Sequence, residues 1–404
     1  MFWLRDGLRC LQRPRIRACG YAIVPSHDET SAGQVAIVVD EENRASYTGL
    51  VHCGSIWECP TCQMTIKAAR AKEIAYCVDS HGIDRCAMLT LTIRHDFTIG
   101  HDLAHVRKAL ANVWRRVIRG APWKRFKRQL GIWHMVRAVD LTYSEANGWH
   151  PHLHVLLFLN EPPSDDELRL QTDGRGRKVW RWFPRGATGE SWLRDRWADM
   201  VEAELGAYAR PDDEHGCTLG PCYKADYIAK LGLELSDPGL KRGRDKGRTP
   251  LQIACDFCSH GRRRDAGLWQ AYCAAMKGAR FLTWSQGCKK AFGIAVRSDL
   301  DLAQDEQDQT NTRTVATVNA YAWQSLRGRV IQTDTGPCSA MYWVLEQAET
   351  GGAAALQRAL LLVATGEIGG DAVDAPGDLS RSQKQGAHAQ VTRGGSCLTA
   401  DRPA

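Results

Sequence analysis

The sharpest chemical signal in this 404-residue chain is the segment Gly148–Asn160, GWHPHLHVLLFLN. On a β-strand successive side chains alternate between faces, so His152 and His154 share one face while Leu153 and Val155 take the other. Two imidazoles about 7 Å apart along a strand can converge on one divalent cation, given a third ligand from a neighbouring strand. Asp140, in the preceding segment MVRAVDLTYS, is the available carboxylate. If the turn at Glu145–Gly148 folds the two segments into a hairpin, Asp140 comes level with the histidines to within a residue or two. A His-x-His pair alone more often marks hydrogen-bonded or surface histidines, and it is the carboxylate that favours a cation. His150 has the same parity but precedes Pro151, which suits a supporting role.

The second signal is Tyr223–Leu235, YKADYIAKLGLEL. At helical spacing Tyr223, Tyr227, Lys230 and Glu234 form one stripe. Such a stripe suits phosphoryl transfer: a tyrosine attacks phosphorus, the lysine offsets developing charge, and the carboxylate handles a proton. The plain alternative is an amphipathic helix with tyrosine rings in the core and a surface Lys–Glu pair. A third group, Cys53, Cys59 and Cys62, places three thiols within ten residues, with a CxxC knuckle before a helix. That is a frequent half of a structural Zn²⁺ site. His52, Cys86 and the Cys217/Cys222 pair are candidates for the fourth ligand; Cys255 and Cys258, beside His260, read as plain thiols.

The elements that must carry these residues follow from periodicity. Val35–Val39, Ala87–Arg94, Ile132–Tyr143 and Leu153–Leu159 read as strands. Ile66–Val78, Leu103–Ile118, Ser191–Tyr208, Tyr223–Leu235, Asp265–Lys277, Thr314–Leu326 and Ala340–Leu362 read as helices. The expected division is an N-terminal region over 1–86 containing the cysteine segment, a catalytic domain over 87–298, an acidic linker over 299–313, a helical region over 314–365 and a disordered tail over 366–404.

Composition narrows the function classes. No apolar stretch reaches 18 residues, which speaks against a membrane span, and the N-terminus lacks a secretory h-region. Fifteen cysteines at irregular spacing point to a reducing, cytoplasmic setting rather than a disulfide scaffold. Residues 1–300 carry 45 Lys or Arg against 34 Asp or Glu, whereas residues 301–404 carry 8 against 12. Within Trp114–Arg128 seven basic residues (Arg115, Arg116, Arg119, Lys124, Arg125, Lys127 and Arg128) alternate with Trp114, Trp123 and Phe126. Gly174–Arg185 repeats the mixture. Basic groups neutralise phosphates and interleaved aromatics can stack on unpaired bases. Either stretch alone reads more plainly as a solvated helix face with its aromatics in the core, but two such stretches in one half point to a nucleic-acid partner, single-stranded or origin DNA.

Taken together, these motifs resemble the HUH endonucleases, and more narrowly the rolling-circle replication initiators of bacterial plasmids and phages. The family's Leu-Thr-Leu-Thr strand is matched at Leu89–Thr92 and its Gly-Trp-His-Pro-His-hydrophobic-His motif from Gly148 to His154. Its Tyr-x-x-Lys motif is matched by Tyr227 and Lys230, its cysteine segment by CGSIWECPTC, and a late segment by KGARFLTWSQGCKKAFG at Lys277–Gly293. The resemblance spans roughly residues 50–295. It departs at Asp140, where members more often carry Glu, and at Tyr223, whose spacing is similar to that of two-tyrosine phage initiators.

The resemblance implies an α+β fold in which an antiparallel sheet carries the metal site and the tyrosine helix packs across it. It further implies Mg²⁺ or Mn²⁺ on His152, His154 and Asp140, and attack by Tyr227 on origin DNA to leave a 5′-phosphotyrosine and a free 3′-OH. Lys230 would screen the charge, and Glu234 or Tyr223 would serve termination. No Walker-type loop is present, so a host helicase and a host DNA polymerase are the expected partners, in a bacterial cytoplasm, with a homodimer among the assemblies open to the chain. A transposase or relaxase with the same chemistry, and a non-enzymatic zinc-dependent DNA-binding protein, are the rival readings.

Overall fold

A computed structural model describes residues 2–25, 33–94, 100–173, 176–184, 190–223, 247–304, 312–333 and 336–366. In chain order its strands are β1 (Val35–Val39), β2 (Ala45–Thr48), β3 (Cys86–Thr92), β4 (Ile132–Ser144), β5 (Gly148–Leu159), β6 (Leu168–Thr172), β7 (Lys178–Trp182), β8 (Cys217–Pro221), β9 (Leu282–Trp284), β10 (Arg313–Val318), β11 (Val330–Thr333) and β12 (Gly336–Ser339). Helices and antiparallel sheets are mixed along the chain, as the α+β reading requires. Among the described residues, no helix is long and apolar enough to cross a membrane.

Two compact units emerge: Met1–Ile66 with Arg297–Ala404, and Lys67–Val296. The second is built on a five-stranded antiparallel sheet in the order β8-β3-β5-β4-β9. Odd-numbered residues of β3 and β5 (Leu89, Leu91, Leu153, Val155, Leu157) are fully buried on one face. They belong to one core with Val106, Leu110 and Val113 of helix Leu103–Val117, Phe126 of helix Gly120–Gln129, and Trp197 of helix Glu190–Leu205. Each such side chain contributes about 1.5–3 kcal/mol through burial, so this face holds the sheet in place. The opposite face bears the even-numbered residues. There Phe158 packs against His81 and Phe292, with ring centroids 5.4 and 4.9 Å away.

The β4–β5 hairpin depends on Gly148, whose φ of +73° is left-handed and whose added Cβ would lie 2.5 Å from the Gly100 carbonyl oxygen. A side chain there would strain the turn and push against backbone.

In the basic segment the plainer reading holds for the aromatics: Trp114, Trp123 and Phe126 are buried in the core, Trp114 edge-on to Trp123 and Trp123 stacked on Phe126. Three- and four-residue helical spacing gathers apolar rings on one side and leaves Arg115, Arg119, Lys124, Arg125 and Arg128 exposed on the other. The second mixed stretch supplies β7, which pairs with β6; Trp182 there is buried and bonds Glu167 while Trp180 stays exposed.

In the first unit, β1 lies between β10 and β2. Residues 314–318, read from the sequence as the start of a helix, form most of β10; the helix begins only at Ala320, capped by the Asn319 side chain. Thr314, Val315, Thr317 and Val318 are β-branched, and a partner strand nearly 280 positions earlier overrides the helical period. This pairing puts the two ends of the chain in one unit, a division that a linear reading with boundaries at 86 and 298 does not contain. The stretch from 299 opens as helix Asp299–Gln304 rather than as linker, and Ala340–Leu362 is two helices parted at Gly351 and Gly352. The tail from residue 367 onward lies outside the described residues.

Candidate functional site

The register of the hairpin sets Asp140 directly opposite His152, and Ala138 opposite His154. β5 lies between β3 and β4, so its backbone is held on both sides, while β4 is held by β5 along its length and by β9 over Val136–Ala138. Asp140 Oδ2 lies 3.3 Å from His152 Nε2 and 3.8 Å from His154 Nε2. One ligand atom from each of the three residues falls within 4.8 Å of the other two. The two imidazole rings are 5.6 Å apart between centroids.

The recess is partly open. The Asp140 side chain is 38% accessible, against 17% for His152 and 10% for His154. Burial works to raise the carboxyl's pKa, but hydrogen bonds and charge from His152 and His154 outweigh it and hold Asp140 well below the usual carboxylate range. Asp140 Oδ1 also accepts from the Leu141 backbone N–H at 2.8 Å. A carboxylate this close to two imidazoles is bridged either by their protons or by a cation that replaces them.

β3 flanks the histidines from the other side, with Thr90 opposite His154 and Thr92 opposite His152. Thr90 Oγ1 is 3.0 Å from His154 Nδ1. If Nδ1–H donates to that hydroxyl, the Nε2 lone pair is directed at the recess, which is the tautomer a ligating imidazole needs. The Leu-Thr-Leu-Thr strand thereby acquires a physical role that its sequence alone did not state. His150 adjoins the group, its ring centroid 4.8 Å from that of His152, with its Nε2 3.3 Å from the Ile93 carbonyl oxygen.

Of the tyrosine segment, Tyr227, Lys230 and Glu234 lie outside the described residues; Tyr223 is described. It is exposed and in irregular backbone, just past the end of β8. There Pro221 pairs with Ala87, five residues along β3 from Thr92, so β8 ends about 17 Å along the strand from the level of His152, and Tyr223 follows two residues later. At 248 the chain is anchored beside the hairpin turn. Arg248 pairs through its backbone with Tyr143 and forms ion pairs with Glu145, Asp256 and the buried Asp265.

A second group of ligand-type side chains lies in the first unit. Cys53, Cys59 and Cys62 are joined there by Cys19, and all four are buried. Sequence reasoning missed Cys19 because 33 residues separate it from Cys53 and no spacing rule links them. Of the fourth-ligand candidates, Cys86, Cys217 and Cys222 fall in the second unit, on β3 and at β8. His52 touches the group at its edge, with Nδ1 4.0 Å from Cys62 Sγ. Cys255 and Cys258 belong to neither cluster among the described residues.

With this geometry in view, residues 51–172 match a family model described as "Replication protein". The matched span contains β3, β4 and β5 and with them the whole His–Asp recess. Over that span the chain is similar to the replication proteins. It is also similar to "Protein rep" of Streptomyces lividans, at 25% identity over 350 residues covering 71% of this chain and 74% of the relative. It is also similar to a "Neomycin resistance protein" of Streptomyces cyanogenus, at 30% identity over 137 residues, 28% of this chain and 31% of that one. No solved structure matches the chain.

Proposed function

We propose that this chain is a replication protein that initiates plasmid DNA replication as a site-specific nickase of the HUH type. The observation that carries the reading is the convergence of Asp140, His152 and His154 on the open face of two central strands. One carboxylate oxygen and two imidazole nitrogens, with room left for further ligands, fit Mg²⁺ or Mn²⁺ holding a substrate phosphate. When bound, such an ion polarises a phosphoryl oxygen of the scissile phosphate and orients it for in-line attack.

The protein's own residues do the rest. His152, His154 and Asp140 bind and aim, and Thr90 keeps His154 in the ligating tautomer. The Tyr227 oxygen bonds to phosphorus, its proton passes to a base or solvent, and the bond to the 3′ oxygen breaks. The products are a 5′-phosphotyrosine and, after protonation, a 3′-OH primer for a host polymerase. Lys230, three residues on, offsets charge on the pentacovalent phosphorus. Exposed Arg115, Arg119, Lys124, Arg125 and Arg128 hold the DNA backbone, with Arg116 partly occupied by Glu204. Unwinding falls to a host helicase, and the setting is the bacterial cytoplasm.

Termination needs a second cleavage, for which the position of Tyr223 favours Glu234 as the base that activates water. Glu234→Ala should nick normally yet leave multimeric products; if Tyr223→Phe does so instead, two tyrosines alternate.

The initiating chemistry is tested by incubating the protein with single-stranded origin DNA and Mn²⁺ and resolving the products on a denaturing gel. A covalent protein–DNA adduct is expected. Absence of any adduct across origin sequences and divalent metals would overturn the nickase in favour of a DNA-binding protein without nucleophilic chemistry.

A further inference from the structure

The four-cysteine cluster of the first unit has no part in the reaction above, and its geometry is that of a site in its own right. Cys19, Cys53, Cys59 and Cys62 are 1%, 5%, 1% and 0% exposed. Cys19 Sγ lies 3.4 Å from Cys62 Sγ and 3.5 Å from Cys59 Sγ, and Cys53 Sγ lies 3.7 Å from Cys62 Sγ. Sulfurs about 2.3 Å from a tetrahedral zinc stand about 3.8 Å from one another, so the observed separations are close to those of an ion-centred tetrahedron.

The surrounding backbone supports the same arrangement. The Cys53 N–H points at Cys19 Sγ and the Ser55 N–H at Cys53 Sγ, both at 3.4 Å. Such donors favour sulfur in its anionic, ligating form. Residues 20–24 pair with 49–51 through Gly20 N–H to Val51 O, Val51 N–H to Ala22 O and Val24 N–H to Gly49 O, which sets Cys19 beside Cys53. Cys59 and Cys62 flank the first turn of helix Pro60–His81. Arg5, 2% exposed, donates to the Gly20 carbonyl, and Arg15 donates to the Cys53 carbonyl, fixing both cysteine-bearing loops.

We propose that Cys19, Cys53, Cys59 and Cys62 bind one Zn²⁺ as a closed tetrathiolate that fastens the N-terminal segment around Cys19 to the loop and helix start at 53–62. Four sulfurs complete the coordination, so no position remains for water or substrate, and the ion's role is structural. His52 lies outside the shell. This inference stands apart from the nicking reaction, since neither site supplies a residue to the other.

The test is metal analysis of the purified full-length chain in a His152→Ala/His154→Ala background, which removes zinc held at the histidines. One zinc per chain is expected, released by an organomercurial thiol reagent. Cys19→Ser should lose that zinc and lower the melting temperature, while His52→Ala and the buried control Cys77→Ser should keep it. Where Cys19→Ser fails to fold, cobalt exchanged into the otherwise intact background decides: a four-sulfur set has intense visible bands with strong thiolate charge transfer, and a three-sulfur, one-nitrogen set has weaker, blue-shifted ones. Zinc-free protein of unchanged stability, full zinc retention in Cys19→Ser, or a three-sulfur cobalt spectrum would each overturn the proposal.

Discussion

Asp140, His152 and His154 stand on an open sheet face with side chains up to 38% accessible, whereas no member of the four-cysteine cluster exceeds 5% exposure. The first group mixes one oxygen with two nitrogens and the second is all sulfur. Oxygen and nitrogen donors with vacant directions suit a hard cation that must also accept a phosphate, while a complete sulfur shell suits an ion that never exchanges ligands. Scaffolding differs in the same sense. The histidines ride on rigid central strands, where positions vary little, and the cysteines lie in loops and at a helix start that need fastening. On the proposed reading, ligand type and exposure together separate a place for chemistry from a place for folding.

The largest effect expected concerns the purpose of the open site. Tyr227→Phe removes only the nucleophilic oxygen, so the covalent adduct should fall below detection on a denaturing gel while origin binding stays near normal. A persisting adduct would move the nucleophile elsewhere, with Tyr223 the first to examine despite its distance.

Next in size is the crossed pattern between the two clusters. Alanine at His152, His154 or Asp140 should each cost on the order of 100-fold or more in nicking, partly recovered at high Mn²⁺, with the melting temperature nearly unchanged. Cys59→Ser should do the reverse, lowering soluble yield and melting temperature by on the order of 10 °C, because a structural zinc contributes directly to folding. Full activity in Asp140→Ala would remove that carboxylate from the metal shell, and a crossed pattern that failed would erase the distinction drawn above.

A smaller effect should come from Thr90→Val, which keeps the β-branched shape and removes the partner of His154 Nδ1. Manganese affinity, read by titration of the free protein, should weaken about 10–100-fold. Unchanged affinity would show that the sheet alone orients the ring.

The mildest change belongs to the surface. Neutralising Arg125, Lys127 and Arg128 together should weaken origin and random DNA alike and reduce the log–log salt slope by about 2. Loss confined to origin DNA would mean that this helix reads bases.

Much of the recess was legible in the sequence because strand parity is local. Two residues apart means the same face, and that rule alone pairs His152 with His154 and sends Leu153 and Val155 to the core. The turn between Ser144 and Gly148 implied a hairpin, and Asp140 had to come within a residue or two of level; the observed register puts it opposite His152. Helices over 103–117, 190–205 and 263–276 were legible for the same reason, since their periodicity is written within a few turns.

Whatever depended on distant partners was decided by tertiary structure. Cys19 joins Cys53, Cys59 and Cys62 only because residues 20–24 pair with 49–51, and no local pattern announces that contact. Thr90 meets His154 through the β3–β5 register, and β8 ends about 17 Å along the strand from the level of His152. Residues 314–318 became a strand because β1 offered a ladder of hydrogen bonds worth more than their weak helical period. The sequence by itself determined which side chains share a face and which chemistry they have; only folding determined which faces meet, because that depends on contacts between residues far apart in the chain.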